Sequence, residues 1–364
     1  MTPDAAFFAG LARSPLGAEV FSPAPSIAPL ARIDGAALPA PVWCYGRVGS
    51  VLDVAHAAPT DAPWTSLLAA EQSAGRGQLR RRWRSPRGNV YAAVRLPLSD
   101  GAALWRGSAA SPLMGALLVT ALRAAGFDVC LKWPNDLVAQ PQAGGEVRKV
   151  GGILLEERGG TLWAGVGLNV RHAPDAALLR ADHALPAGSL QGCFPAAFAA
   201  LGGRMEACGA WRAAGTLAPF ASDGQNDSGK PEGSAPDGDG PDVFCQVLWC
   251  WLVSSAAFCY KESLPALRRW QDLADAHLLW RGCRVRLLRD DAAPRDGAAE
   301  AVIGVLRGVG RRGGLLLAPE GRPGEQAGEQ VVEFFSGSLQ LAAGPQPMRQ
   351  GPPASCRTSC KDTL

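Results

Sequence analysis

Three stretches of the chain carry apolar residues at helical spacing. Residues 113–125 are apolar at 113, 114, 117, 118, 121, 122 and 125, with Ser111-Pro112 as a start signal and Gly126 as a stop. Residues 48–58 are apolar at 48, 51, 52, 54 and 55, which predicts a helix capped by Ser50. Residues 243–260 are mostly apolar, with a charged helical continuation to 276. This length could cross a membrane, but the polar interruptions favour a buried packing helix.

Other stretches alternate or run apolar over strand lengths. We predict strands at 65–72, 90–96 and 127–132, and a hairpin of 150–157 with 161–170 around residues 158–160. After the strand at 127–132, Pro134 forbids further ladder pairing, so the chain turns and presents Asn135 and Asp136 at the strand end. Glycines weaken strands unless something must approach closely. The four glycines at 151, 152, 165 and 167 therefore predict a ligand lying against the hairpin.

The pattern divides the chain into two ordered units with poorly ordered flanks. Residues 42–278 would form the main domain, and 279–342 a small β-barrel or sandwich with strands at 282–288, 301–309, 314–317 and 331–341. Residues 1–41 are so rich in proline that we expect a loosely packed arm with at most one short helix near 5–13. Residues 219–241 and 343–364 have too few apolar residues for a core, so we expect them to be disordered.

Composition narrows the class of protein. The chain has 364 residues, 47% of them apolar and 19% charged, with a net charge of +3, which is typical of a soluble globular protein of about two domains. Ten cysteines form no Cys-x-x-Cys pair and four histidines form no metal-spaced cluster, so a zinc site is not expected. We expect a reducing cytoplasm, since the N-terminus lacks the basic start of a secretory signal.

Positive charge is concentrated in one loop. Arg76 lies between Gly75 and Gly77, and further arginines follow at 80, 81, 82, 84 and 87. A flexible cationic loop suits a polyanion such as a nucleotide triphosphate, although a solvated basic turn has the same pattern. Nucleic-acid binding is disfavoured because Trp83 is the one aromatic residue within the run.

Several motifs in order give the chain a family resemblance. They are Glu71-Gln72-Ser73-Ala74-Gly75-Arg76-Gly77, Trp83, Ser85-Pro86-Arg87-Gly88-Asn89-Val90-Tyr91, Lys132-Trp133-Pro134-Asn135-Asp136, Lys149-Val150-Gly151-Gly152-Ile153-Leu154 and Gly165-Val166-Gly167-Leu168-Asn169-Val170. Over residues 43–342 this series resembles the biotin protein ligases. The resemblance implies an α+β fold in which a mixed sheet with flanking helices, like that of class II aminoacyl-tRNA synthetases, is followed by a small SH3-like β-barrel. It implies no N-terminal DNA-binding domain, because 1–41 offers no recognisable DNA-reading helix.

The same resemblance implies a reaction. Biotin protein ligases join biotin to ATP with release of pyrophosphate, and then pass biotin from biotinyl-adenylate to a lysine of a biotin carboxyl carrier protein. Cations, including Mg²⁺, would be needed where the biotin carboxylate meets the α-phosphate. A loop that closes over the intermediate would exclude water, which implies that the Gly-Arg-Gly loop is mobile when empty.

Residue roles follow from the resemblance. Lys149 would meet the carboxylate and the phosphate, Arg76 the phosphates, Lys132 the nucleotide, and Asp136 the incoming lysine. The resemblance assigns biotin binding to Ser50, Val51, Leu52, Gln72, Arg76, Gly77, Gln78, Lys149 and Gly152. It assigns ATP binding to Gly75, Arg76, Gly77, Trp83, Lys132, Asn135, Lys149 and Asn169, and it implies no protein-held metal, nucleic acid or membrane.

Ordinary interpretations exist beside these roles. Each lysine alone could be a solvated strand-end charge, Asp136 could cap a turn, and Trp83 and Trp133 are more typical of packing. Two departures from the family pattern also matter. Ser50-Val51-Leu52 replaces the Ser-Thr-Asn or Ser-Thr-Met common in the family, and Gln78 stands where an arginine often follows Gly-Arg-Gly.

Two rival functions remain open at this level. A lipoate or octanoate ligase or transferase would have a similar fold and also acts on a carrier lysine. A non-catalytic biotin sensor on a DNA-binding arm is the other class, and the sequence of 1–41 disfavours it.

Overall fold

The computed structural model describes residues 5–15, 29–58, 62–78, 81–98, 104–140, 146–175, 185–207, 240–263, 269–289, 301–320 and 330–343. Most of the two segments that we expected to be disordered, 219–241 and 343–364, lies outside these residues. Within the described part the chain forms an α+β structure with a nine-stranded mixed sheet and a separate five-stranded antiparallel sheet. This confirms the predicted fold class.

The nine strands of the large sheet are β1 (Leu11–Pro15), β2 (Ala31–Gly35), β3 (Val42–Val48), β4 (Ser66–Gln72), β5 (Val90–Arg95), β6 (Val129–Lys132), β7 (Asp136–Ala139), β8 (Arg148–Arg158) and β9 (Thr161–Leu168). Their order across the sheet is β1-β2-β3-β4-β5-β9-β8-β7-β6. All neighbours are antiparallel except β3 and β4, which run parallel. The β8–β9 hairpin was predicted, and its turn residues Gly159 and Gly160 both have positive φ, as a tight two-residue hairpin turn requires.

The helices of the large domain cover both faces of this sheet. They are α1 (Ala5–Ala9), α2 (Val51–Ala57), α3 (Ala110–Ala124), α4 (Leu190–Cys193), α5 (Pro195–Ala207), α6 (Val243–Phe258) and α7 (Gln271–His277), with a π-helical turn at Cys259–Ser263. Alternate residues of β4 and β5 enter two cores: Leu68 and Ala92 join the larger core with α3 and α6, while Leu67 and Tyr91 join the smaller core with α2. A sheet covered on both faces reads as nearly continuous apolar strands, which is how β4 and β5 read.

Helix α6 lies inside the protein. The segment Val243–Glu262 is long and apolar enough to cross a membrane, but every residue of α6 from Phe244 to Ala257 is buried. The Trp251 indole donates a hydrogen bond to the Ala121 carbonyl of α3 at 3.1 Å. These contacts are those of the buried packing helix that the sequence favoured. The predicted continuation to 276 is interrupted, because α7 begins as a separate helix at Gln271.

The N-terminal residues are not the loosely packed arm that we predicted. Strand β2 pairs with both β1 and β3, so the described residues before Val42 extend the large sheet. Phe7, Phe8 and Ile33 are buried in the larger core. The prolines are compatible with this arrangement because Pro15 ends an edge strand and Pro41 precedes β3, positions where a missing N–H donor is tolerated.

The small sheet contains β10 (Arg284–Leu288), β11 (Ala301–Val309), β12 (Leu315–Pro319), β13 (Val332–Phe334) and β14 (Ser338–Leu341) in the order β13-β12-β11-β10-β14. We expected one strand at 331–341, but the segment forms two strands that pair at opposite edges of the sheet, β13 with β12 and β14 with β10, and Gly337 between them has a φ of +129°. A positive φ of this kind favours a residue without a Cβ, and the similar apolar pattern on both sides of Gly337 concealed the break between the two strands.

The small sheet is joined to the large domain by specific contacts. The Leu279 amide donates to the Leu131 carbonyl of β6 at 2.8 Å, and the Val309 amide of β11 donates to the Asp275 carboxylate of α7 at 2.8 Å. Asp275 is buried, and burial raises the pKa of its carboxyl group. The two sheets therefore share a buried interface. It lies near the end of β6, where Lys132 is found.

Candidate active site

A tight hairpin brings Lys132 and Asp136 together. Lys132 ends β6 and Asp136 begins β7, and the two residues face each other in the antiparallel register. The Trp133–Pro134 peptide between them is cis. The Lys132 amine lies 3.8 Å from Asp136 Oδ2 and is buried, and this burial lowers its pKa, an effect that Asp136 opposes and Lys149 reinforces. The sequence predicted the turn, but not the return strand β7.

Lys149 completes this group from the neighbouring strand. Its Nζ lies 2.5 Å from Asp136 Oδ1, so one carboxylate contacts both lysine ammonium groups through different oxygens. The same ammonium lies 5.5 Å from the centre of the Trp83 ring. The structure therefore brings three of the four predicted catalytic residues, Lys132, Asp136 and Lys149, into one cluster.

Asn135 has a clear structural task in the turn. Its Nδ2 donates to the Ile153 carbonyl at 2.8 Å, and its own carbonyl accepts from the Ile153 amide at 3.0 Å. These bonds fasten the turn to β8, close to Lys149. Its side-chain donor is thus used within the protein, and a role toward ATP stays a prediction.

The strand glycines make room for protein side chains. Gly152 and Gly167 face each other across β8 and β9, and we call them the glycine pair. A Cβ on Gly167 would lie 2.6 Å from the Trp83 indole, and one on Gly152 would lie 3.4 Å from it. Gly165 gives similar room to Leu52, at 2.8 Å. At Gly152, Gly165 and Gly167 the space is therefore used by Trp83 and Leu52, and a ligand lying against the hairpin stays a prediction.

The start of α2 is held by Gln72 and not by the predicted cap. Ser50 occupies the N-cap position and is buried, but its side chain makes no capping hydrogen bond. Instead Gln72 Oε1 accepts from the Val51 amide at 2.9 Å, while Gln72 Nε2 donates to Ser85 Oγ at 2.8 Å. Val51 and Leu52 are buried in the smaller core. The predicted biotin residues Ser50, Val51, Leu52 and Gln72 thus form one connected group.

The Gly-Arg-Gly loop closes on itself beside this group. The Trp83 amide donates to the Gly75 carbonyl at 2.8 Å, and the Gly77 amide donates to the Arg81 carbonyl at 2.7 Å. Gln78 is exposed in the turn between them. Gly75 must lack a side chain, because a Cβ there would lie 2.6 Å from the Trp83 carbonyl.

Arg76 contacts carboxylates in this structure. Its guanidinium donates to Asp53 at 2.7 and 2.9 Å and to Glu156 at 3.2 Å. The hydrogen bond with Asp53 is the main reason that the pKa of Arg76 is raised and that of Asp53 is lowered. The sequence analysis missed both carboxylates. Glu156 could have been found by strand alternation, since it shares the face of Gly152.

Asn169 and Asn89 order the end of β9. Asn89 Oδ1 accepts the amides of Val170, Arg171 and His172, at 2.9 to 3.1 Å. Asn169 is buried and its Nδ2 donates to the Gly188 carbonyl at 3.0 Å, while its buried Oδ1 has no hydrogen-bond partner among the described residues. A buried acceptor of this kind calls for a donor, so the Asn169 side chain is suited to an N–H group of a ligand.

The fit of the site to Mg²⁺ is poor on the protein side. Mg²⁺ takes oxygen ligands, with one or two carboxylates and the substrate phosphates. Here Asp136 is paired with two lysines, and Asp53 and Glu156 are paired with Arg76. Among the described residues, no group of three or more His, Cys, Asp or Glu is placed to hold a metal ion. We therefore assign no step to a protein-held metal.

Comparison with known proteins agrees with this geometry. Residues 58–171 match the model of the biotin/lipoate A/B protein ligase family. This segment is therefore similar to that family. It carries Arg76, Trp83 and the lysine cluster, which consists of Lys132, Asp136 and Lys149. We call residues 58–171 the ligase-family segment.

Individual relatives support the same family. The chain is 38% identical over 134 residues to the biotin--[acetyl-CoA-carboxylase] ligase of Paracoccus denitrificans, covering 35% of this chain and 52% of that protein. It is 38% identical over 112 residues to the bifunctional ligase/repressor BirA of Escherichia coli K12, covering 29% of this chain and 32% of that protein. The matched part thus spans about half of the first relative and a third of the second.

A solved structure supports the fold over a longer range. A mutant of the biotin protein ligase from Aquifex aeolicus, in complex with biotin, is 19% identical with a TM-score of 0.50. The match covers 82% of this chain and 97% of that one. The ligase-family segment therefore lies within a larger fold that continues into the C-terminal sheet.

Proposed function

We propose that the protein is an ATP-dependent biotin protein ligase. Biotin would first react with ATP to give biotinyl-5'-AMP and pyrophosphate, and a lysine of a biotin carboxyl carrier protein would then take the biotinyl group. The observation that carries the proposal is the cluster of Lys132, Asp136 and Lys149 beside Trp83 and the glycine pair, in the ligase-family segment.

The lysines suit the first half-reaction. A carboxylate oxygen must form a bond to the α-phosphorus while the bond to pyrophosphate breaks, so two anions approach each other. Two ammonium groups held by one carboxylate offset that charge before the substrates arrive, which avoids reorganisation during the reaction. Because Lys149 is the more exposed of the two lysines, we assign it to the reacting groups and Lys132 to the nucleotide.

Asp136 suits the second half-reaction. The carrier amine must form a C–N bond to the acyl carbon while the bond to AMP breaks, and it loses a proton in doing so. Asp136 is the carboxylate in the cluster, and we assign it to accept that proton. Its contacts with both lysines give it a second task, because it fixes their positions for the first half-reaction as well.

Asn169 suits recognition of the nucleotide. The exocyclic amino group of adenine is a hydrogen-bond donor, and Asn169 Oδ1 is a buried acceptor without a partner in the described part of the chain. Leaving such an acceptor unpaired in a complex costs about 1–3 kcal/mol, so a ligand that satisfies it is favoured over one that does not.

A lipoate or octanoate ligase is the second candidate, and one observation favours it. Both ends of the Gln72 amide are engaged by protein groups, and its neighbours Val51 and Leu52 are apolar and buried. These three residues offer few free polar groups to the ring head of biotin. A plain acyl chain would need none.

Exchange of labelled pyrophosphate into ATP separates these candidates. We expect exchange that depends on biotin, and its loss in Lys149→Ala, while the exposed Lys261→Ala retains it. Exchange with lipoate or octanoate but not with biotin would select the second candidate. Absence of exchange with all three acids would refute both. Transfer is then tested with a carrier protein and a carrier variant whose acceptor lysine is replaced by arginine.

A further inference from the structure

Arg76 joins two elements on opposite sides of its loop. Asp53 belongs to α2, directly after Ser50-Val51-Leu52, and Glu156 belongs to β8, four residues after Gly152. Every nitrogen of the guanidinium donates to one of the two carboxylates, at 2.7 to 3.2 Å. This geometry uses the planar fork of arginine fully and would be lost with lysine.

The charges around Arg76 are balanced within the protein. Arg158 lies 3.9 Å from Asp53 and 3.4 Å from Glu156, so two arginines face two carboxylates. His56 Nε2 lies 3.5 Å from Glu156, and burial is the main reason that the pKa of this histidine is lowered. The two arginines and two carboxylates together carry no net charge. Their electrostatic attraction for a phosphate is therefore weak.

The loop that carries Arg76 ends at Trp83, which lies on the glycine pair. Its two ends are already tied together, because the Gln72 amide donates to the Ser85 carbonyl at 3.2 Å. The Ser73 and Ala74 amides also donate to the Val48 and Gly49 carbonyls, at 2.9 and 2.8 Å, and so hold the start of the loop. The contact of Arg76 with α2 and β8 holds the described part of the loop beyond them.

We propose that Asp53, Glu156 and Arg76 form a clasp that holds the Gly-Arg-Gly loop closed over the glycine pair. Asp53 and Glu156 are then positioning residues, and Arg76 acts on the loop while Lys132 and Lys149 meet the phosphate. Resting on the proposed function, this clasp sets how long a bound acyl-adenylate is retained and protected from water.

The first test needs no substrate. Trypsin cleaves after arginine, and the loop contains Arg76, Arg80, Arg81 and Arg82. Asp53→Asn and Glu156→Gln leave these sites and their sequence neighbours unchanged, so only the opening of the loop alters their cleavage. Glu157→Gln is the matched control, since Glu157 is the next residue on β8 and points to the other face.

We expect trypsin to cleave the loop about three to ten times faster in Asp53→Asn and in Glu156→Gln than in the parent, which is the range for partly exposed charged hydrogen bonds. The control should match the parent. Raising the salt concentration should speed cleavage of the parent more than that of the double variant, because salt screens partly exposed ion pairs. Melting temperatures of all variants separate loop opening from global unfolding.

The second test measures retention. Preformed biotinyl-adenylate is chased with excess unlabelled biotin and ATP, and its loss is expected to be several-fold faster in the two clasp variants than in Glu157→Gln. Equal cleavage and equal retention in all proteins would overturn the clasp. If the parent forms no acyl-adenylate, the proposed function fails, but the trypsin comparison still decides whether the clasp exists.

Discussion

The indole of Trp133 donates a hydrogen bond of 2.8 Å to the carbonyl of Gly313, 180 residues later in the chain. Trp133 lies in the turn between Lys132 and Asp136, and Gly313 lies in the turn between β11 and β12. Ser108 Oγ donates to the carbonyl of the neighbouring Arg312 at 2.6 Å. The C-terminal sheet therefore contacts the turn between Lys132 and Asp136 directly.

Gly313→Ala tests this contact. Gly313 has a φ of +86°, and a Cβ there would overlap Ala109 and the Ser108 carbonyl. We expect a loss of more than about 2 kcal/mol in the free energy of unfolding, measured with urea, from strain plus overlap. Gly282→Ala is the control, since Gly282 has a φ of +78° and no atom near the added Cβ. Equal losses in the two variants would mean that the domains separate easily at Gly313.

Asp136→Asn tests the double role of its carboxylate. If Asp136 served the incoming lysine alone, this change would spare adenylation more than transfer. The structure shows that Asp136 contacts both lysines, so we now expect both half-reactions to slow by at least about tenfold, because an unpaired charge is left near the core. Adenylate formation and transfer from preformed adenylate are measured separately by quenched single-turnover assays. Asp128→Asn is the control: it removes a surface ion pair with Arg123 and should change neither rate. If Asp136→Asn slowed transfer alone, the role of Asp136 would be restricted to the incoming amine.

Gly167→Ala tests the packing of Trp83 on the glycine pair. A Cβ at 167 would lie 2.6 Å from the indole, so we expect a loss of about 1–3 kcal/mol in the free energy of unfolding. In a Trp83→Ala background the same change should cost much less, and the difference is the coupling energy of the pair. Gly203→Ala, on α5 with open space around it, should be neutral or slightly stabilising. Additive losses from Gly167→Ala and Trp83→Ala would show that the two residues do not touch in solution.

His277 predicts a pH dependence of stability. Burial is the main reason that its pKa is lowered from 6.5 to about 4, with Arg123 adding to the effect. Its Nε2 lies 3.1 Å from Thr120 Oγ1. Since the unfolded chain takes up the proton more readily, the stability that neutral His277 supplies is complete above pH 6.5. It is lost as the pH falls through the folded pKa of about 4.

The measurement is the urea midpoint of the parent and of His277→Gln between pH 7 and pH 4. We expect the parent to lose more stability than the variant over this interval, with a slope that differs by at most about 1.4 kcal/mol per pH unit. His172→Gln serves as a substitution of the same type at another site. Parallel curves for the parent and His277→Gln would show that His277 titrates normally in the folded protein.

The sequence predicted those parts of the site whose partners are close in the chain. Lys132 and Asp136 are four residues apart, and a turn between two strands was enough to bring them together. Asp53 and Glu156 come from a helix and a strand about a hundred residues apart, and no local pattern says which residue a given strand face meets. The same limit explains Trp133 and Gly313, because contacts between domains depend on packing that neither stretch encodes alone.

Local rules also misjudged some elements. The density of proline hid β1 and β2, since proline frequency says nothing about whether each proline falls at a strand end. The glycines of β8 and β9 were correctly judged to permit a close approach, but sequence could not tell whether a ligand or the indole of Trp83 would approach. A glycine in the sequence shows where the backbone can be approached closely. Which group occupies that position depends on the tertiary structure.

The position of β2 between β1 and β3 has a practical consequence for dividing the chain. A shortened protein that begins at Val42 would keep every residue of the lysine cluster, yet it would leave β3 with one row of unpaired backbone groups. It would also uncover the larger core where Phe8 and Ile33 are now buried. An open, apolar strand edge invites pairing with another molecule. We expect such a fragment to self-associate although it keeps the lysine cluster. A shortened protein should therefore retain α1, β1 and β2.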